Sequence, residues 1–319
     1  MILYIMAKDR ITSFDNLKYL LIILVIFGHV SYYVDFENST HIVRIEGYLK
    51  HIIYAFHMPL FIFISGYFSH KYEKERFLSS ISKLLRIYLI FQTLRILINY
   101  LFFNKPFQMD SLFLPCHTLW YLLSLLFWRV FIQIIPNKVI NNNKVLVGGG
   151  ILLSLLGGFC PLGHFLSINR TLTFSIFFIM GFIVRKKDVF NKLLTFKITV
   201  IHILVLLIAI ILSIKLSVFY GKSPYNHPID ICERIFHILN ATILSIGIIR
   251  LLPQKHFKSQ GHNVLFFYVY HVYVLMIIGF ILKSINMQSG FIIHIIITFV
   301  CTCLLSLLSK IKILYIPIK

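Results

Sequence analysis

The chain has 319 residues, of which 58% are hydrophobic and only 13% are charged. Because soluble domains carry about 25% charged residues, this composition excludes an ordinary soluble domain and indicates an integral membrane protein. The formal net charge of +20 does not indicate a nucleic-acid partner, since the basic residues lie in short loops between long apolar runs, where membrane topology accounts for them.

Ten apolar windows match a hydrocarbon core of about 30 Å and predict an all-α, polytopic membrane protein with about ten transmembrane helices. Their approximate ranges are 14–34, 51–69, 84–103, 117–135, 145–159, 168–184, 197–214, 235–252, 264–283 and 290–309. The fifth window is short and flanked by glycines. Since no convincing internal repeat is present, we expect residues 1–319 to form a single membrane-embedded domain.

The distribution of Lys and Arg predicts the orientation of these helices. With the amino terminus in the cytoplasm, the predicted inner segments hold more than twice as many Lys and Arg residues as the outer ones. Cytoplasmic loops of membrane proteins typically carry such an excess. An even number of spans then places both termini in the cytoplasm, and the predicted location is the cytoplasmic (inner) membrane of the cell.

The first window, from Phe14 to Val34, carries two basic side chains within an apolar run. Lys18 and His29 are 11 residues apart, so they project from nearly the same helix face, roughly 16 Å apart along the axis. Ionisable residues inside a spanning helix are costly and usually face the protein interior or a wet cavity. The pair therefore indicates a path that is cationic at its cytoplasmic end. Asp15 either orients Lys18 or caps the amino terminus of the helix.

Three intramembrane histidines are candidates for catalysis or for polar contacts. An imidazole titrates near neutrality, so His29 can take a proton from a hydroxyl group and return one to a leaving thiolate. The alternative for His29, and equally for His57, is a neutral ring hydrogen-bonded between helices. Pro59 follows His57 closely and can kink its helix by freeing a backbone carbonyl. His271, in the ninth window, is a candidate for a polar contact.

Basic residues of the third and fourth windows are candidates for binding an anionic ligand. Lys83 and Arg86 share a helix face and, together with Lys18, could hold the phosphates of a nucleotide-bearing cofactor. The alternative is that they anchor the helix at the inner leaflet. Arg95 and Arg129 lie deeper in apolar runs, where a cavity is favoured over a lipid-facing position.

Motifs of several other enzyme classes are absent from the sequence. It holds no G-x-S-x-G, Walker loop, HExxH or intramembrane carboxylate pair, and no cysteine spacing typical of zinc sites. These absences weaken hydrolase, ATPase, metalloprotease and proton-pump interpretations, and we expect no metal cofactor.

Four blocks of residues occur in a characteristic order. The first is Asp15-x-x-Lys18, followed after ten intervening residues by His29. The others are FHMPLFIFISGYF at 56–68, Lys83-x-x-Arg86, and finally LWYL at 119–122 with YVYH at 268–271. Together they resemble the acyltransferase 3 family of integral-membrane acyltransferases, in its sugar O-acetyltransferase branch. Trp120, in the LWYL segment, is expected at the outer surface of the membrane, where tryptophan is common.

The resemblance implies a ten-helix membrane enzyme that transfers an acyl group, usually acetyl, from cytoplasmic acyl-CoA to a hydroxyl group of an extracytoplasmic or lipid-linked glycan. It implies that Lys18, Lys83 and Arg86 contact the phosphates of CoA and that His29 is the catalytic base. His57 would polarise or position the reacting groups. Lys18 and Lys83 stand where many relatives carry arginine, so a bidentate grip on phosphate is lost there. Some relatives carry a fused extracytoplasmic esterase-like domain, which we do not expect here.

We therefore expect an O-acetyltransferase that uses acetyl-CoA as acyl donor and modifies a polysaccharide of the cell envelope. The expected partners are acyl-CoA, the glycan acceptor, membrane lipid and proteins of polysaccharide assembly, with no nucleic acid. Two other hypotheses stay open: a transporter or flippase of glycan or lipid intermediates, and a non-catalytic assembly factor. Transporters often show paired repeats with broken helices, and the sequence shows no such pairing.

Overall fold

The computed structural model describes residues 2–34, 40–104, 106, 108–186, 189–222, 224–251, 261–287 and 290–318. Over these residues every regular element is a helix, which confirms the predicted all-α class. The α-helices are α1 (Ile2–Val30), α2 (Thr40–Tyr67), α3 (Lys74–Phe103), α4 (Trp120–Ile134), α5 (Asn137–Ile140), α6 (Asn143–Leu156), α7 (Ile168–Thr173), α8 (Ser175–Lys186), α9 (Phe190–Thr195), α10 (Val200–Lys215), α11 (Ile229–Leu251), α12 (Val264–Ser284) and α13 (Phe291–Leu308). Short 3₁₀ helices cover Met109–Leu112, His117–Leu119, Phe165–Ser167, Gly261–Asn263 and Lys312–Tyr315.

Several of these helices are long and apolar enough to cross a membrane. Within the described ranges there are five, over Ser13–Val30, Ile45–Tyr67, Ile229–Leu251, Gly261–Ser284 and Phe291–Leu308. A sixth candidate is the pair Phe165–Thr173 and Ser175–Lys186, which is bent by 58°. The protein is therefore a helical membrane protein, as predicted.

The ten predicted windows all overlap helices, but the number of spans stays a prediction. Helices α4, α6 and α10 have 15, 14 and 16 residues, fewer than the roughly 20 that a span needs. Helix α3 has 30 residues but carries Lys83, Arg86 and Arg95 along its length. The orientation of the termini also stays a prediction.

Two helices begin earlier than the hydropathy pattern places them. Helix α1 begins at Ile2 rather than near 14, and α2 begins at Thr40 rather than near 51. Charged residues lower the hydropathy of these segments without breaking the helix. Asp15 consequently lies well inside α1, so its alternative role as an amino-terminal cap is wrong.

The chain divides into two compact units. Unit 1 comprises Met1–Phe61, Asn191–Phe219 and His237–Ile316, and unit 2 comprises Ile62–Phe190, Tyr220–Phe236 and Pro317–Lys319. The predicted single membrane domain stays a prediction.

In unit 1, α1 packs against α12 and α13, and two glycines permit this close approach. A Cβ atom on Gly261 would overlap the carbonyl oxygen of Asp15, and a Cβ atom on Gly279 would overlap that of Tyr33. Backbones can approach this closely only where one partner has no side chain. The two glycines therefore position the segment that contains Lys18 and His29.

We expect Gly279→Ala to destabilise the protein, because the added methyl group meets a backbone oxygen that cannot rotate away. Overpacking of this kind costs about 1–3 kcal/mol. Thermal unfolding of the purified protein in detergent should show a lower Tm. The matched control is Gly148→Ala, since a Cβ atom there meets no described atom within 4 Å. An unchanged Tm for Gly279→Ala would contradict the close approach of α12 to the end of α1.

In unit 2, α6 packs against α7 and α8, and α3 packs against α4. A Cβ atom on Gly66 would overlap the carbonyl oxygen of Phe178, and one on Gly181 would overlap that of Phe63. The last part of α2 and helix α8 are therefore in backbone contact through a reciprocal pair of glycines. This contact holds the segment that follows His57 in the FHMPLFIFISGYF block.

Candidate active site

The site is centred on a pair of histidines from α1 and α12 in unit 1. His29 Nδ1 lies 2.9 Å from His271 Nε2, and the two rings are stacked with an interplanar angle of 9°. His271 is fully buried, and its Nδ1 atom lies 2.9 Å from the carbonyl oxygen of Phe267. Residues 242 positions apart in the chain thus form one chain of hydrogen bonds.

The direction of these hydrogen bonds follows from the chemistry of the groups. A carbonyl oxygen can only accept, so His271 donates from Nδ1 to Phe267. A neutral His271 then accepts at Nε2, and His29 donates to it from Nδ1. In this tautomer the lone pair of His29 is on Nε2, which is the atom that can take a proton from a substrate.

Side chains from other helices hold the last turn of α1, which contains His29. The final carbonyls of a helix lack intrahelical partners. The hydroxyl group of Tyr54 donates to the Gly28 carbonyl oxygen at 3.2 Å, and His294 Nε2 donates to that of Phe27 at 2.7 Å. A Cβ atom on Gly28 would lie 2.9 Å from the Tyr54 ring, so glycine allows this ring to pack against α1. These contacts fix the position of His29.

An imidazole and a carboxylate meet beside this turn. His294 Nδ1 lies 3.1 Å from Glu46 Oε1, and the two side chains are only 2% and 12% exposed. The contact is close enough for an ion pair but is not aligned as a hydrogen bond. Because His294 also donates to Phe27, the pair links α2 and α13 to the end of α1.

His57 packs on the same tyrosine that holds Gly28. Its Nδ1 atom donates to the Ile53 carbonyl oxygen at 2.7 Å, and its ring meets the Tyr54 ring edge-on at 4.8 Å. His57 is 5% exposed, so it is a buried polar group of α2. Tyr54 therefore connects His57 to the turn that contains His29.

Lys18 and Asp15 form an ion pair on α1, with 2.6 Å between Nζ and Oδ1. The two side chains are 24% and 30% exposed, so the ammonium group remains accessible. The ion pair agrees with the prediction that Asp15 orients Lys18.

The remaining basic candidates lie in unit 2 and fall into two groups. Lys83 and Arg86 are exposed on α3, and neither forms a hydrogen bond or ion pair with any residue in the described part of the chain. Arg95 is 7% exposed. Arg129 is half-buried and donates from Nη1 to Ser80 Oγ at 2.5 Å. Lys83 and Arg86 are therefore available for a ligand, whereas Arg95 and Arg129 lie within the helical packing.

Trp120 packs inside unit 2, and its predicted position at the outer surface of the membrane stays a prediction. It is only 8% exposed and packs against Phe174, with ring centroids 5.7 Å apart. The guanidinium group of Arg170 lies 4.9 Å from its ring centroid. A cation over an aromatic face is stabilised where water is excluded, so this contact helps to hold Trp120 in the packing of unit 2.

A family model described as an acyltransferase domain matches residues 11–310. The chain belongs to the acyltransferase 3 family. This confirms the predicted family, and the match includes all of the histidines and basic residues considered above. In an acyltransferase 3 protein, the half-buried imidazole of His29 is a candidate to accept a proton from an alcohol.

Two curated relatives match part of this acyltransferase 3 chain. They are Nodulation protein NolL of Sinorhizobium fredii, 46% identical over 61 residues, and Nodulation protein NolL of Mesorhizobium japonicum, 46% identical over 63 residues. The matches cover 19% and 20% of this chain and 16% of each relative. The chain thus matches only about a sixth of the length of these relatives. No solved structure matches the chain significantly.

Sequence reasoning missed Glu46 and His294 in this acyltransferase 3 site. The second predicted window begins near 51 and so leaves Glu46 in a loop, although α2 includes this residue. His294 lies in the tenth window, in the run FIIHIII. An ionisable residue inside a spanning helix is itself a signal for a functional or structural contact, and it identifies His294 from sequence alone.

Proposed function

We propose that the protein is a membrane O-acetyltransferase that moves an acetyl group from cytoplasmic acetyl-CoA to a hydroxyl group of a cell-surface or lipid-linked glycan. The hydrogen bonds from His29 through His271 to Phe267 carry this proposal, because they leave a basic nitrogen on a fixed imidazole. Membership of the acyltransferase 3 family supports the reaction class. The acetyl donor and the glycan acceptor are part of the proposal.

His29 acts as the general base in the proposed reaction. Its Nε2 atom takes the proton of the acceptor hydroxyl as the oxygen attacks the thioester carbonyl carbon. The C–S bond then breaks, and the same proton passes to the CoA thiolate, so that an acetyl ester and free CoA are the products. His29 Nδ1–H remains bonded to His271 throughout. The carbonyl end of α1 favours the transient positive charge on the ring.

The remaining candidate residues bind and position the substrates in this proposal. Lys83 and Arg86 contact the phosphates of CoA; this assignment is supported by their exposure and by the absence of a hydrogen bond or ion pair to any described residue. Lys18 contributes a third cation, oriented by Asp15. His57 positions the reacting groups from α2.

We also propose that the protein crosses the inner membrane of the cell ten times and that both termini lie in the cytoplasm. The excess of Lys and Arg in the predicted inner segments supports this orientation. It places Lys18, Lys83 and Arg86 on the side where CoA is found. Polysaccharide-assembly proteins would then supply or receive the glycan at the opposite side.

We expect the double variant Lys83→Gln/Arg86→Gln to raise the KM for acetyl-CoA about tenfold while kcat changes little, because charge-assisted contacts to phosphate are lost in binding. Steady-state kinetics of the purified protein would measure both constants. Arg76→Gln is the matched control, since Arg76 is also exposed on α3. An unchanged KM in the double variant would contradict the assignment of these cations to CoA.

The reaction itself is tested with purified protein, labelled acetyl-CoA and glycan from the source cell from which ester-linked acetyl groups have been removed. We expect one acetyl ester on the glycan for each CoA thiol released. If the glycan crosses a liposome membrane without gaining acetyl groups, the protein is a transporter and the proposal is wrong.

A further inference from the structure

An apolar groove lies on unit 1, away from the histidine pair. It has a volume of about 380 Å³ and is formed by α10, α11 and the segment before α10. Its lining includes Ile201, Val205, Leu206 and Ile246. Val200 and Ile201 are each 71% exposed, so this face of α10 presents hydrocarbon to its surroundings. In a membrane, lipid acyl chains are the groups that contact such a surface.

The polar side chains of the groove are Arg250 and His202. Arg250 donates from Nε to the Phe196 carbonyl oxygen at 3.2 Å, and its guanidinium carbon lies 5.8 Å from the Phe196 ring centroid. Its two terminal nitrogens form no hydrogen bond or ion pair with the described residues. A guanidinium group binds a phosphate by two parallel hydrogen bonds from one of its sides. In Arg250 the described residues leave the terminal nitrogens of that side available.

His202 adds a second donor to the groove. Its Nδ1 atom accepts from the backbone N–H of Thr199 at 3.2 Å, as part of the amino-terminal cap of α10. A neutral His202 consequently carries its proton on Nε2. Both polar side chains of the groove thus provide donors, and one of them is always positively charged.

We propose that this groove binds one anionic phospholipid, with its phosphate at Arg250 and an acyl chain between α10 and α11. The hydrocarbon lining fits the chain, and the guanidinium group fits the phosphate. The proposal uses none of the residues assigned to acetyl transfer, so it stands or fails independently of the proposed function.

Native mass spectrometry of the purified full chain, titrated with phosphatidylglycerol, tests the proposal. We expect one retained phosphatidylglycerol per protein and an affinity about tenfold lower in Arg250→Gln, the loss typical of a charge-assisted contact. Phosphatidylcholine with the same acyl chains should bind more weakly than phosphatidylglycerol, because its choline group repels the guanidinium group. Equal affinity of the wild type and Arg250→Gln for phosphatidylglycerol, or equal affinity of the wild type for both lipids, would overturn the proposal.

Two further variants separate the groove from general electrostatic attraction. Val205→Trp fills the groove while Arg250 is kept, and it should also reduce phosphatidylglycerol binding; Val205 is 40% exposed, so the larger ring does not enter the core. Unchanged binding in Val205→Trp would show that no chain occupies the groove. Arg76→Gln removes one exposed charge from unit 2 and should leave binding unchanged. If Arg76→Gln lowered the affinity for phosphatidylglycerol as much as Arg250→Gln does, binding would depend on the net charge of the protein alone.

Discussion

Replacing His29 with alanine is expected to lower the rate of acetyl transfer about 10²–10⁴-fold, which is the usual contribution of a general base. The variant removes Nε2, the atom that takes the hydroxyl proton, and leaves His271 bonded to Phe267. The KM for acetyl-CoA should change little, because the CoA phosphates are assigned to other residues. Initial rates of ester formation, normalised to folded protein, measure the effect.

His51→Ala provides the matched control for His29→Ala. His51 is also a partly buried histidine of unit 1, bonded to the Leu216 carbonyl oxygen at 3.0 Å, but it has no assigned part in the reaction. We expect its activity to be close to that of the wild type. If His29→Ala retains more than a tenth of the wild-type rate, His29 is not the base.

Replacing His271 with leucine is expected to lower kcat about 100-fold, because His29 loses the acceptor that fixes its tautomer and its position. Leucine fills similar space but cannot accept from His29 Nδ1–H. His271→Gln should recover part of the activity, since its amide oxygen can accept that hydrogen bond. The KM for acetyl-CoA should be similar in both variants.

The comparison of His271→Leu with His271→Gln distinguishes a positioning role of His271 from a structural role. A structural role would lower the Tm and the yield of folded protein, whereas positioning lowers kcat per folded molecule. Thermal unfolding and active-enzyme concentration are therefore measured on the same samples. An unchanged kcat per folded molecule in His271→Leu would show that His271 does not act through His29.

Hydropathy predicted where helices occur but not where they begin. It identified windows that all overlap helices, because long apolar runs in a membrane leave the backbone little alternative. It placed the starts of α1 and α2 too late, because residues such as Arg10 and Glu46 are polar yet continue a helix. Helix continuity depends on backbone hydrogen bonds, which hydropathy does not report.

The bend between α7 and α8 was not predicted from the sequence. Neither glycine nor proline occurs at the break, although the first part of the predicted window 168–184, INRTLTFS, is largely polar. The backbone of Phe174 nevertheless leaves the helical region, with φ −95° and ψ 2°. Nearby polar contacts, such as Ser175 donating to the Gly150 carbonyl oxygen at 3.3 Å, belong to the tertiary packing of unit 2.

Candidate residues of the site could be predicted singly but not as pairs. The sequence identified His29 and His271 as intramembrane histidines, because such residues are costly in a membrane. Their hydrogen bond depends on how α1 packs against α12, which is decided by Gly261 and Gly279 rather than by the histidines. For Asp15 and Lys18, the spacing within one helix offered an ion pair as one of two alternatives, and the structure was needed to decide between them.

The most direct test uses liposomes with wild-type protein inserted in one orientation, acetyl-CoA only on the side of the amino terminus and acceptor glycan only on the other side. The expected result is acetyl ester on the glycan, with CoA thiol released on the donor side and neither product formed by His29→Ala. Ester formation only when both substrates are on the same side, or at an equal rate with His29→Ala, would contradict transfer across the membrane at this imidazole.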